Sequence, residues 1–177
     1  MKTKHLTFTG IMAALIVVCA WITIPTVVPF TMQTFAVFLA VGLLGGKLGS
    51  LSVAVYLLLG AVGLPVFSGF RGGLGAFAGV TGGYLLGFLL IALVMWLAQA
   101  LWGDGTGVFI LSAIVGLAVC YFFGTVWYLL LYTSANGPMS LWTVLGSCVF
   151  PFLIPDGCKL ALAVVLRRRL HPALSVK

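Results

Sequence analysis

Asp156 and Lys159 lie three residues apart inside an apolar run, so on a helix they share one face. A carboxylate and an ammonium held together in that way accept from N–H donors and donate to oxygens at one point. Recognition of a small polar molecule needs that combination. A third charge away from the helix ends is Arg71, the only charge in the stretch 64–88, where eight glycines fall between Gly69 and Gly87. Glycine needs no side-chain clearance, so Gly73 and its neighbours let backbone come close to a ligand. Gln33 adds an amide at the head of one apolar run, and Tyr84 a phenol in the first turn of another. Phe30, Phe67 and Phe70 offer apolar walls. Each feature also has a plainer reading, and spacing leaves both open. The ion pair neutralises itself and fixes packing; the glycines shorten helix–helix distances; Gln33 caps or packs; Tyr84 belongs to an interfacial aromatic belt; the phenylalanines face lipid.

Other chemistry is excluded by what the chain contains. Two acids in the whole sequence, Asp104 and Asp156, allow neither a carboxylate pair nor a Ser/His/Asp site around the intramembrane residues. His5 and His171 lie near the termini, so a proton relay or metal site inside the membrane is not expected. The run G-G-K-L-G-S around Lys47 approaches a phosphate loop, but Val41 stands where the first glycine belongs and leucine follows the lysine. The expectation is therefore a binding protein and not an enzyme, with no catalytic residue, cofactor or metal.

The elements that must position these residues are membrane spans. The 177 residues are 63% hydrophobic and 6% charged, with mean hydropathy +1.28, more apolar than a soluble surface allows. At about 20 residues per span the length suits an all-α bundle of six transmembrane helices in a single domain, 1–177. Lys2 and Lys4 precede the first apolar run as in a signal peptide, but an A-x-A site is missing and Trp21, Pro25 and Pro29 follow, so the run counts as the first span. The expected helices cover 7–24, 32–46, 48–62, 81–101 and 108–132, then a short leading helix and a last one over 155–168. The glycine-rich loop joins the third to the fourth, with Thr81 as an N-cap. Cys19, Cys120, Cys148 and Cys158 lie in apolar runs without C-x-x-C spacing and read as small packing residues.

The net charge of +7 reflects orientation and does not indicate nucleic acid. Six helices put Lys2, Lys4, Lys47, Arg167, Arg168, Arg169 and Lys177 on one side, so both termini are expected to be cytoplasmic and Arg71 outward. Eleven residues separate Asp156 from Arg167, roughly 16 Å of helix, which sets the acid well inside the bilayer. A helix that starts at Pro155 would aim its N-terminal partial charge at an anionic ligand there.

The stretch G-L-P-V-F-S-G-F-R-G-G-L-G, followed by T-G-G-Y-L-L-G-F, resembles the BioY family of biotin-capturing subunits (S components) in energy-coupling-factor transporters. P-F-T-M-Q-T and P-D-G-C-K are similar to two further marks of that family, and the likeness spans essentially the whole chain. Val80 departs from it, replacing a proline, which should alter loop stiffness more than chemistry. Pro155 stands where glycine is frequent, with the Asp156-to-Lys159 spacing kept. The resemblance implies an outward-facing biotin pocket in the bacterial cytoplasmic membrane, surrounded by lipid, with energy from a transmembrane coupling protein and a pair of ABC ATPases. It also implies a partner face on the first helix, at Gly10, Ala13 and Ala14. Biotin suits the polar set: its ureido group matches Asp156 and Gln33, and its carboxylate matches Lys159 or Arg71. A free-standing secondary transporter or channel for a small anionic vitamin is the alternative; it favours inverted repeats, which the sequence does not display.

Overall fold

A computed structural model of the chain describes residues 3–137 and 139–174. Lys2, Ser175 and Lys177 lie outside the described residues, and with them part of the charge argument. The helices are α1 (Thr3–Trp21), α2 (Gln33–Ala61), α3 (Gly75–Ala78), α4 (Gly82–Trp102), α5 (Thr106–Asn136), α6 (Leu141–Cys148) and α7 (Phe150–Leu174). Five of the long helical stretches are apolar enough to cross a membrane.

The helix α2 is two spans joined at a kink. Gly45 adopts φ 78° and ψ 167°, outside the helical region, and the chain doubles back there. A Cβ on Gly49 would stand 2.5 Å from the Val41 Cα, two positions that a straight helix holds about 12 Å apart. The arms 33–44 and 46–61 therefore run antiparallel, as expected from two short helices with a turn at G-G-K-L-G. Counting both arms, and α6 with α7 as one interrupted span, the described residues form a six-helix membrane bundle. The core lies along the first arm, where Ala36, Val37, Phe38, Ala40 and Val41 are all fully buried.

Local differences from the sequence expectations cluster at the end that carries the glycine-rich loop. The first helix stops at Trp21, and Thr23–Ile24 (β1) pairs antiparallel with Phe30–Thr31 (β2) across the two-proline connection. Thr81 occupies the N-cap position of α4 without making a side-chain capping bond. The last span breaks at Val149 (φ −124°, ψ −58°), ahead of both prolines. Pro151 sits in the first turn of α7, where its missing N–H costs nothing, and Pro155 continues the same helix. Asp156 is thus in the second turn of α7. The expectation that a helix beginning at Pro155 aims its terminus at the site is corrected accordingly.

The opposite end is locked by Arg167, which is 5% exposed. Its Nε donates to the Gly42 carbonyl at 3.1 Å, and its Nη2 to the Asp104 carbonyl and carboxylate at 2.8 and 2.6 Å. The guanidinium carbon also stands 4.8 Å from the Phe109 ring centre. Arg167 therefore binds α7 to the α2 kink and to the α4–α5 turn. That places the α2 turn with Lys47, the α4–α5 turn and the basic end of α7 together at one end of the bundle.

Candidate functional site

The other end holds a two-compartment cavity beneath the β1–β2 ribbon. Its loop-side compartment, about 50 Å³, is walled by Gln33, Phe67, Ser68, Arg71, Thr81 and Leu85 among others. The second, about 40 Å³, is walled by Thr31, Thr34, Cys120, Tyr121, Asp156 and Lys159 among others. Val28, Pro29, Tyr84 and Phe88 line both and form the neck between them.

Asp156 is 2% exposed and Lys159 5%, and Nζ stands 2.7 Å from Oδ1. Two further donors reach the acid. Thr34 Oγ1 donates to Oδ1 at 2.9 Å and Tyr121 Oη to Oδ2 at 2.5 Å. A carboxylate has about four lone-pair sites, so three protein donors leave one for a ligand. Lys159 gives one N–H to Asp156 and stands 4.2 Å from the centre of the Phe30 ring, leaving N–H groups for an acceptor. A desolvated acid with one open site beside a cation with spare donors is built to hold a group that both donates and accepts.

Gln33 is 3% exposed and part of a fixed chain of donors. Its Oε1 accepts from Thr31 Oγ1 at 2.8 Å, and its Nε2 donates to Tyr56 Oη at 2.5 Å. One amide N–H stays available on the cavity wall. Tyr84 is buried, its hydroxyl 3.2 Å from Thr125 Oγ1, so it belongs to the cavity neck and not to an interfacial belt.

Glycine packing sets both aromatic walls. A Cβ on Gly60 would meet the Phe67 ring at 1.9 Å, and one on Gly124 the Tyr84 ring at 2.3 Å. Phe67 also makes edge-on contacts with Tyr56 and Phe77, at centroid distances of 5.5 and 5.3 Å. The loop is pinned at Gly73, whose φ of 87° suits glycine and whose N–H donates to the Gly60 carbonyl at 2.7 Å.

The ligand-site candidates from the sequence fall into three groups. Gln33, Phe67, Arg71, Tyr84, Asp156 and Lys159 line the cavity. Gly73 lies off both walls and holds the loop. Phe70 points away, 64% exposed, its ring centre 5.1 Å from that of Trp21. Arg71 is exposed at the cavity mouth, and its Nε donates to the Ser68 carbonyl at 3.1 Å. On α1, Gly10 and Ala14 face outward, whereas Ala13 is 2% exposed and packs into the core. Ala13 is one residue, about 100° of helix, away from the outward face, which takes it out of any surface a partner could touch.

Sequence reasoning missed Thr34, Tyr56 and Tyr121. Tyr121 carried a usable signal, since a phenol in the middle of an apolar span needs a hydrogen-bond partner. Thr34 sits directly after Gln33, and only its bond to Asp156 distinguishes it from a packing threonine.

Residues 1–176 match the model of the BioY family. A biotin transporter BioY of Thermotoga maritima is 48% identical over 122 residues, covering 68% of this chain and 72% of that one. A probable biotin transporter BioY of Pyrococcus horikoshii is 39% identical over 173 residues, covering 97% and 98%. Among solved structures, the S-component for biotin from an ECF-type ABC transporter superposes with TM-score 0.84 at 31% identity, over 97% of this chain and 92% of that one.

Proposed function

Because the chain belongs to the BioY family, we propose that it captures biotin as the substrate-specific subunit of an energy-coupling-factor transporter. The observation that carries this reading is the buried Asp156–Lys159 pair facing the cavity with one acceptor site and spare ammonium donors open. A ureido ring supplies one N–H to Asp156 and a carbonyl to Lys159 at a single point. The apolar bicycle and methylenes then pass the neck at Tyr84 and Phe88, and the carboxylate reaches Arg71 at the exposed mouth. This orientation keeps the full charge of the ligand near water and buries its neutral polar end, which is the cheaper arrangement. Relatives described as transporters agree with the expectation of a carrier and not an enzyme.

In the same reading the cavity opens outward from a bacterial cytoplasmic membrane, with both termini inside. Lys4, Lys47 and Arg167 to Arg169 support that sidedness by sharing the end opposite the cavity. Gly10 and Ala14 lie on an outward face of α1 suited to close approach by a helix of a transmembrane coupling protein, which a pair of ATPases would drive. The test is titration of the purified chain, in detergent and without partners, with biotin, riboflavin and thiamine by calorimetry. Nanomolar biotin affinity, about −12 kcal/mol, is expected. Micromolar or absent binding, or preference for another vitamin, overturns the assignment.

A further inference from the structure

A second groove, of about 510 Å³, lies at the end opposite the cavity, between α1, the second arm of α2 and α4. Its polar end is formed by His5, Lys47 and Ser50. Ser50 is 4% exposed, and both its Oγ and the His5 Nε2 are buried without a hydrogen-bond partner among the described residues. Buried polar atoms of that kind are uncommon and call for a partner. No ion pair of Lys47 is present among the described residues. The only two acids of the chain are Asp104 and Asp156, which pair with Arg167 and Lys159.

From this polar end the groove turns wholly apolar. Leu48, Leu51 and Ala54 climb the second arm at helical spacing, and Leu89, Leu93 and Trp96 form the facing stripe on α4. Seven residues from Lys47 to Ala54 span about 10 Å of helix. Leu51, Leu93 and Trp96 are 37 to 39% exposed, so the groove opens sideways, where the bilayer lies. A larger groove of about 600 Å³ between α4 and α5 carries no charged residue and lacks this polarity. A cation, two unmatched polar atoms and an apolar channel leading toward the membrane centre match one kind of molecule: an anionic head joined to an acyl chain.

We propose that this groove binds an anionic phospholipid, its phosphate at Lys47, Ser50 and His5 and one acyl chain between the second arm of α2 and α4. The inference rests on membrane embedding and not on the identity of the transported ligand. Delipidated full-length chain, in detergent, is offered equal parts of dioleoyl phosphatidylglycerol and dioleoyl phosphatidylcholine, and retained lipid is counted by native mass spectrometry. A single basic contact near the surface predicts about fivefold preference for the phosphatidylglycerol. Lys47→Gln with Ser50→Ala should bring that preference close to unity, and Lys47→Arg should restore it in the otherwise native chain. Size-exclusion behaviour of each variant reports whether it is folded. Inorganic phosphate in excess should not displace the lipid, because it lacks the chain that fills the apolar stripe. Equal retention of both lipids, or unchanged preference in the double variant, overturns the proposal. Displacement by free phosphate does so too, in favour of a simple anion site. If the double variant keeps its lipid preference but no longer assembles with a coupling protein, the groove is a protein interface.

Discussion

The Tyr121 hydroxyl reaches Asp156 Oδ2 at 2.5 Å and ties the middle of α5 to the second turn of α7 through the acid that faces the cavity. Thr34 and Lys159 hold the other oxygen, so three elements fix one carboxylate before a ligand arrives. Preorganisation of this kind lowers the ordering cost at binding.

Loss of the acid should therefore differ from loss of its support. Asp156→Asn puts a donor where acceptors are needed and leaves Lys159 buried without its counter-charge; a charge-assisted bond of ~1.5–3 kcal/mol predicts a 10- to 150-fold loss of biotin affinity or more. Tyr121→Phe removes one donor and keeps the charge, with a loss of about tenfold at most expected from the lower end of that range. Isothermal titration of both variants settles the order. A double variant, Asp156→Asn with Lys159→Met, that binds at native strength would make the pair purely structural, since a buried ion pair often barely repays its desolvation.

The orientation of the ligand is checked with esters. Arg71 is exposed and faces the proposed carboxylate, so Arg71→Gln should weaken biotin by about fivefold, as for a solvent-exposed ion pair, and leave biotin methyl ester unaffected. Lys159→Met should weaken acid and ester alike, because it faces the ureido end. The reverse pattern of the two variants would turn the ligand around in the cavity.

The architecture was largely legible in the sequence, since apolar run lengths read directly as spans. Asp156, Lys159 and Arg71 were visible because charge in an apolar run has few explanations. Phe67 and Tyr84 were candidates, but the sequence could not separate cavity wall from lipid face, because an aromatic side chain satisfies both. The structure resolves this through two glycines onto which these rings pack, Gly60 across the loop from Phe67 and Gly124 on another span from Tyr84. Contacts of that kind, like the bond from Thr34 to Asp156 across 122 residues, leave no local pattern to read. The break at Val149 was missed for a different reason: Pro151 in the first turn marks the start of α7, whereas Pro155, taken as the start, lies inside the helix.

The packing of Phe67 on Gly60 gives a test of the wall. Gly60→Ala sets a methyl carbon 1.9 Å from the ring, inside van der Waals contact, and the ring must move. Overpacking typically costs 1–3 kcal/mol, so a lower melting temperature in detergent is expected together with weaker biotin binding. Restored binding in Gly60→Ala with Phe67→Leu, which trims the clashing ring, would tie the loss to that contact. If the single variant melts and binds as the native chain does, the close packing is not retained in solution.

The proposed sidedness is tested at residues that are exposed at each end. Leu74 is 71% exposed on the loop, and Lys4 is exposed on the first turn of α1. Leu74→Cys should react with an impermeant maleimide on intact cells, and Lys4→Cys only after permeabilisation. Reaction of both from the same side excludes the six-span arrangement with internal termini.

Capture and transport should separate on α1. Gly10 has open space where a Cβ would point, and Ala14 lies four residues on along the same exposed face, so neither supports the core of this chain. Replacing both with leucine adds bulk where a partner helix is proposed to approach closely, while the cavity lies at the other end of the bundle. Biotin affinity of the isolated double variant should stay within about twofold of native, the ordinary scatter of surface substitutions. Co-purification with the coupling protein and ATP-driven uptake of labelled biotin should both fall sharply. Ala13→Leu is the internal control: it strikes the core, so it should lower stability of the isolated chain, which the outward pair should not. Normal assembly and uptake in the outward double variant would move the partner face off this stripe of α1.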